Sequence, residues 1–208
     1  MKASFCCLLV LITFCTAAQG QTRSHKNNLS AGGGIQEYNG DLGNSFFNFK
    51  EEWYGVARLA YSRYLNRSLD AQAFATGGHI GRCFDGVVPP GEHITMLRSA
   101  FFSLGLDLKY KFADGRFLPE DARFAPYVYA GAALSKHRDL WNDQGPRVNE
   151  GIYTSINGGL GLTYRVCSHF QLNYNLGLGY YTTDALDFIT QGANDMYLQH
   201  TVSVGVDF

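Results

Sequence analysis

After its first twenty residues the sequence contains no apolar run approaching the ~20 consecutive residues that a membrane-crossing helix requires. Any span of a bilayer must therefore be built from strands, the other structure that satisfies its own backbone in hydrocarbon. Charge is also scarce, at 17% of the chain against about 25% in ordinary soluble domains. A formal net charge of -1 supplies no cationic excess for contact with phosphates, so nucleic acid is not an expected partner. Of the five cysteines, Cys6, Cys7 and Cys15 lie in the first apolar segment. That leaves Cys83 and Cys167, too few for a disulfide framework. What is abundant is glycine, with 24 residues, and aromatics, at 14%, a combination that suits tightly curved, aromatic-rich β-structure.

Met1 and Lys2, the apolar stretch Phe5 to Phe14 and the small run Thr16-Ala17-Ala18-Gln19-Gly20 follow the order of a secretory signal: charge, apolar core, cleavage site. The spacing predicts a cut near Gln21, with cleavage after Ala18 as the alternative. Cys15 follows Phe14, where a lipoprotein signal carries Gly, Ala or Ser, so lipidation is disfavoured. Residues 1–20 are read as a signal peptide and residues 21–208 as one domain.

From Ala100 to Phe112 apolar residues occupy every even position, with mostly polar or small residues between. A helix would scatter these around its circumference, whereas a strand gathers them on one face. The pattern returns at Ile152 to Val166, with Tyr153, Ser155, Asn157 and Thr163 between. It returns again at Phe170 to Tyr180, against Gln171, Asn173 and Asn175, and from Leu198 to Phe208, against Thr201, Ser203 and Asp207. Leu29 to Tyr38, Trp53 to Leu65, Leu69 to Arg82 and Tyr127 to Lys136 are four further candidates, blurred by Gly and Ala. Together these segments predict an all-β fold, an eight-stranded antiparallel up-and-down transmembrane barrel. Short links at Asn66 to Ser68 and Cys167-Ser168 alternate with long ones at Asn39 to Glu52, Cys83 to Ile94, His137 to Glu150 and Thr183 to Asp195. Barrels of the outer membrane have short periplasmic turns and longer outside loops, which places the four long segments at the cell surface. Ala113 to Pro126 is an intermediate link, read from Asp114-Gly115 and Pro119 as an elaborated periplasmic turn.

An eight-stranded interior is just wide enough for side chains. The polar and glycine rows are therefore expected inside and the apolar rows against lipid, with Tyr110, Phe112, Tyr164, Phe170 and Tyr180 as interfacial girdles. Arg58, Asp70, Asp107, Lys109, Lys111, Arg165 and Asp207 are the candidate lumen charges, expected to pair in a packed interior, because charge in a narrow low-dielectric space persists when partnered. The final strand, with Val202, Val204 and Val206 at alternate positions before Phe208, looks like the signature that the outer-membrane assembly machinery recognises.

The segments Gly32-Gly33-Gly34-Ile35-Gln36-Glu37-Tyr38-Asn39-Gly40-Asp41-Leu42-Gly43 and Tyr61-Ser62-Arg63-Tyr64-Leu65-Asn66-Arg67-Ser68-Leu69-Asp70 resemble the membrane domain of OmpA-like proteins from Bacteroidetes-type bacteria. The resemblance implies an integral outer-membrane protein with structural or surface-interaction roles and no catalytic residues in common. In that family the barrel often continues into a peptidoglycan-gripping periplasmic domain. This sequence stops at Phe208, so cell-wall anchoring is not implied.

Catalytic and metal chemistry find weak footing. His200 falls on the predicted lipid face, with Thr201 and Ser203 pointing the other way, so a nucleophile and base from this strand do not meet. His79, Cys83 and His93 bracket a long loop at irregular spacing, a weak pattern for zinc. No cofactor is expected. The expected partners are outer-membrane lipid, the assembly machinery during insertion, and an extracellular ligand of the long loops, where Phe46, Phe47, Phe49 and Trp141 offer aromatic contact. The leading expectation is a non-enzymatic structural or surface-interaction barrel of the Gram-negative outer membrane. A small porin-like channel and a lipid-modifying enzyme are the alternatives.

This topology puts Cys83 at the outer rim and Cys167 in a periplasmic turn, separated by a bilayer core of about 30 Å, whereas a disulfide needs Cα atoms within about 7 Å. Mass spectrometry of the non-reduced protein should find both as free thiols. A peptide pair crosslinked through Cys83 and Cys167 would overturn the strand order.

Overall fold

A computed structural model describes residues 26–39, 53–83, 96–142, 145–147, 151–182 and 194–208. Among them no helix is long and apolar enough to cross a membrane. The strands are β1 (Asn27–Asn39), β2 (Tyr54–Tyr64), β3 (Leu69–Cys83), β4 (Met96–Lys111), β5 (Phe124–Asn142), β6 (Gly145–Arg147), β7 (Ile152–Arg165), β8 (Phe170–Tyr181) and β9 (Met196–Asp207).

Each wall strand pairs antiparallel with its neighbours in chain order. The β4–β5 and β1–β9 pairings complete a ring of eight, with the three-residue β6 lying outside it as the return leg of a hairpin on β5. A closed ring has no edge, so each wall strand finds ladder partners on both sides. The even positions of β4 and the odd positions of β2, predicted to be apolar rows, point outward: Leu104, Leu106, Leu108, Leu59 and Tyr61 are exposed. On β9 Val202, Val204, Val206 and Phe208 are exposed, while Thr201, Ser203 and Asp207 are buried. The wall is thus greasy outside and polar inside, the reverse of a soluble barrel and the arrangement of a transmembrane one.

Several boundaries differ from the sequence reading. His137 to Asn142, expected in a long loop, extends β5, and Leu140↔Arg147 and Asn142↔Gly145 form the hairpin with β6. Lys136, His137, Arg138 and Asp139 are polar on both faces, so a strand rising above the apolar belt loses the alternation that reveals it. Likewise β3 reaches Cys83, one residue past the expected Arg82, and β4 starts at Met96, four residues before the expected Ala100. A register shift between Arg98 and Ala100 marks a bulge against β5 at this rim. At the other end β5 begins at Phe124, inside the predicted turn, and the Pro126 carbonyl accepts from Phe112 N at 3.0 Å. The β7–β8 link spans Val166 to His169, longer than the expected Cys167-Ser168, with Val166 N bonded to Phe170 O. Cys167 is a free, buried thiol there, and Cys83 ends β3 at the opposite rim. The predicted signal peptide, Phe46, Phe47, Phe49, His93 and most of the four long segments lie outside the described residues.

Glycine's role is clearest where strands crowd the interior. A Cβ on Gly34 would lie 1.7 Å from the His200 carbonyl oxygen, and one on Gly161 would lie 2.3 Å from the Tyr127 ring. One position lets β1 and β9 approach; the other makes room for an inward tyrosine. Gly55 meets nothing within 4 Å. Gly34→Ala should therefore lower stability by about 1–3 kcal/mol through overpacking while Gly55→Ala leaves it nearly unchanged, as read from urea unfolding of protein inserted in lipid vesicles.

Candidate functional site

The inward side chains form one continuous polar and aromatic filling, the place where the described residues concentrate their chemistry. Strand alternation aims them there, since the rows opposite the outward leucines and valines have no other direction to point.

At the short-turn end, Lys111 Nζ donates to Asp70 Oδ1 at 2.6 Å, and Asn28 Nδ2 donates to Asp207 Oδ1 at 2.7 Å. The Lys111 ammonium also lies 4.5 Å from the centre of the Tyr64 ring. Arg165 donates through Nη1 to the carbonyls of Glu120 and Ala122, which ties β7 to the β4–β5 turn. That turn is organised by Asp114, whose Oδ1 accepts from Arg116 N at 2.8 Å and Phe117 N at 3.1 Å, while Ser68 Oγ reaches its Oδ2. These donors hold the Asp114 carboxyl below its ordinary pKa. Gly115 follows with a φ of 82°, the left-handed conformation that glycine adopts without strain.

Midway up, Arg58 Nη2 sits 3.1 Å from Asp107 Oδ2 and 3.3 Å from Gln72 Oε1, with its guanidinium 3.9 Å above the Phe74 ring. Asp107 also accepts from Asn157 Nδ2. The Lys109 ammonium lies 3.8 Å over the Tyr127 ring, whose hydroxyl donates to Asn175 Oδ1. Toward the long-loop end the filling becomes aromatic. Tyr38, Val56, Ile80, Phe101 and Tyr181 cluster there, with Tyr153 and Tyr197 packed alongside. His137, fully buried, stacks on Phe101 and bridges Tyr181 OH at 3.2 Å and Ser99 Oγ at 3.4 Å.

Among the described residues, two cavities of about 10 Å³ lie between these layers, one lined by Arg58, Gln72, Lys109 and Asn173, the other by Asp70, Lys109, Lys111 and Arg165. Each is about the size of a single water. A larger recess, about 450 Å³, opens on the outside of the wall among Ala73, Leu104, Leu106, Ala132 and Leu134, with Thr154 as its one polar side chain.

All seven charged residues singled out from the sequence, Arg58, Asp70, Asp107, Lys109, Lys111, Arg165 and Asp207, are buried or nearly so in this interior. Sequence reasoning did not anticipate which would pair, because the partners sit on different strands. Nor did it single out Tyr127, Tyr129 and His137, although all three fall on the inward parity of β5. His79 points outward on β3. Among the described residues no three His, Cys, Asp or Glu side chains group to hold a metal. His200, as read from sequence, is on the outer face. There it is hydrogen-bonded to Tyr174 OH at 2.8 Å and stacks with Trp53 at 6.2 Å.

No family model and no curated protein matches this sequence. Solved structures do. The Neisserial surface protein NspA superposes with a TM-score of 0.56 at 16% identity, covering 88% of this chain and 97% of that one. The N-terminal β-barrel domain of Pseudomonas aeruginosa OprF gives 0.54 at 15% identity over 88% and 98%. Ail, the attachment invasion locus protein of Yersinia pestis, solved with the heparin analogue sucrose octasulfate, gives 0.52 at 15% over 88% and 99%. This chain has the fold of these eight-stranded barrels.

Removing one member of a buried ion pair strands the other. Asp107→Leu should cost about 3–5 kcal/mol, and the double replacement Arg58→Met with Asp107→Leu less than that single change. Urea unfolding in vesicles measures both. A loss in the double variant equal to the sum of the Asp107→Leu and Arg58→Met single losses would mean that the pair is not coupled.

Proposed function

We propose that this protein is an integral outer-membrane barrel with a structural and surface-contact role, its lumen filled by side chains and its long segments displayed outside the cell. The observation that carries the reading is the packing of the interior. Ion pairs, cation–ring contacts and an aromatic plug leave cavities of about 10 Å³, far narrower than a solute path. The outward apolar belt and the likeness in fold to outer-membrane barrels support the cellular location. The resemblance to OmpA-like barrels of Bacteroidetes type belongs to the same reading. Ail, of the same fold, was solved with a heparin analogue, which makes the exterior of such a barrel a reasonable place to look for a ligand.

A catalytic role is not part of this proposal. The outer recess carries a single hydroxyl, Thr154, and His200 is engaged by the aromatic side chains of Tyr174 and Trp53. The protein extracted from membranes should migrate faster unheated than boiled, and protease added to intact cells should cut within 40–52 or 183–193 but not within 66–68. In planar bilayers it should give no steady conductance to large solutes. Such a conductance, or turnover of lipid A or phospholipid by the purified protein, would replace this function with a channel or an enzyme.

A further inference from the structure

The short-turn rim is not evenly charged. Lys26, Arg63, Arg67, Arg116 and Arg123 are all exposed, and they fall on the contiguous arc from the start of β1, through the end of β2 and the β2–β3 turn, to the β4–β5 turn and the start of β5. The acidic groups facing them are few. Glu120 is bonded to Arg67 at 3.1 Å, Asp121 is exposed, and Asp114 is occupied by its own turn and Ser68. Asp70 and Asp207 are buried behind the rim, engaged by Lys111 and Asn28. The remaining rim, Val166 to His169 between β7 and β8, carries no Lys or Arg.

The same arc carries the aromatic girdle. Phe117 and Phe124 are 61% and 59% exposed, and ring contacts run from Tyr110 to Phe112 to Phe117 and from Phe124 to Tyr164. Aromatic rings of this kind lie at the level of lipid headgroups. Arginines beside them sit where phosphates are, and arginine's planar fork suits bidentate contact with a phosphate.

We propose that this arc is a binding surface for anionic phospholipid headgroups of the leaflet it faces, which on the outer-membrane reading is the periplasmic one. The phosphodiester is held by Arg67, Arg116 and Arg123, and the acyl chains lie along the outward apolar rows of β2 and β4. A headgroup of net negative charge is favoured over a zwitterionic one because the arc offers five cations against the partly engaged Glu120 and Asp121.

The test uses protein purified from membranes and reconstituted in phosphatidylcholine vesicles, with spin-labelled phosphatidylglycerol or phosphatidylcholine of equal chain length as probe. The expected result is an association of phosphatidylglycerol about threefold stronger, falling toward onefold in 1 M salt, where the screening length is about 3 Å. The triple variant R67Q, R116Q and R123Q should lose the preference, and the pair K136Q and R138Q at the opposite rim should keep it. Heat-modifiable migration reports whether each variant is folded, and the salt series on the unaltered protein decides the matter without variants. Equal association of the two lipids at low salt overturns the proposal, as does a preference lost equally in the opposite-rim pair. A protein that inserts into bilayers but shows no preference defeats this inference alone; one that does not insert defeats the outer-membrane reading as well.

Discussion

Hydrocarbon offers a backbone amide no hydrogen-bond partner, and that constraint shapes everything else in this molecule. Strands can meet it only by pairing on both sides, so the wall must close. β1 against β9 and β4 against β5 are the seams that make a ring of eight from neighbours in chain order. Closure then dictates the side-chain arrangement. One face of each strand lies against lipid and takes Leu, Val and Ile; the other is turned into a space so narrow that it must be filled.

That narrow space accounts for the interior chemistry. A cylinder of this size cannot hold bulk water, so the charges inside must satisfy one another. Arg58 meets Asp107, Lys111 meets Asp70, Arg165 is held by two carbonyls, and Lys109 lies over a tyrosine ring. Glycines opposite the large rings complete the fit, with Gly161 beneath Tyr127 and Gly179 beneath Tyr197. The aromatic cluster around His137 closes the end nearer the long segments. The β4–β5 turn, through Asp114 and the Arg165 contacts, braces the other.

The two rims differ in what they offer the surroundings. On the proposed function, the end with long connections is where contact with molecules outside a cell would take place. The end with short turns presents a girdle of rings beside a basic arc. Among the described residues the surface divides into an outward apolar belt and a short-turn rim of rings and basic side chains, each with its own composition.

Strand identity and facing were legible in the linear order of residues because period two is a property of the chain itself. Leu104, Leu106 and Leu108 alternate with Asp107 and Lys109 whatever lies next to them, and the seven interior charges could be named from that parity. The alternation faded where both faces become polar, so His137 to Asn142 read as loop although the ladder continues through them. Pairing was not legible at all. That Arg58 would meet Asp107 across 49 positions, or that His137 would lie between Phe101 and Tyr181, depends on strand register and on which strands close the ring. Parity is written residue by residue. Partnership arises only when distant segments are brought side by side, and for this chain the wrapped cylinder alone decided it.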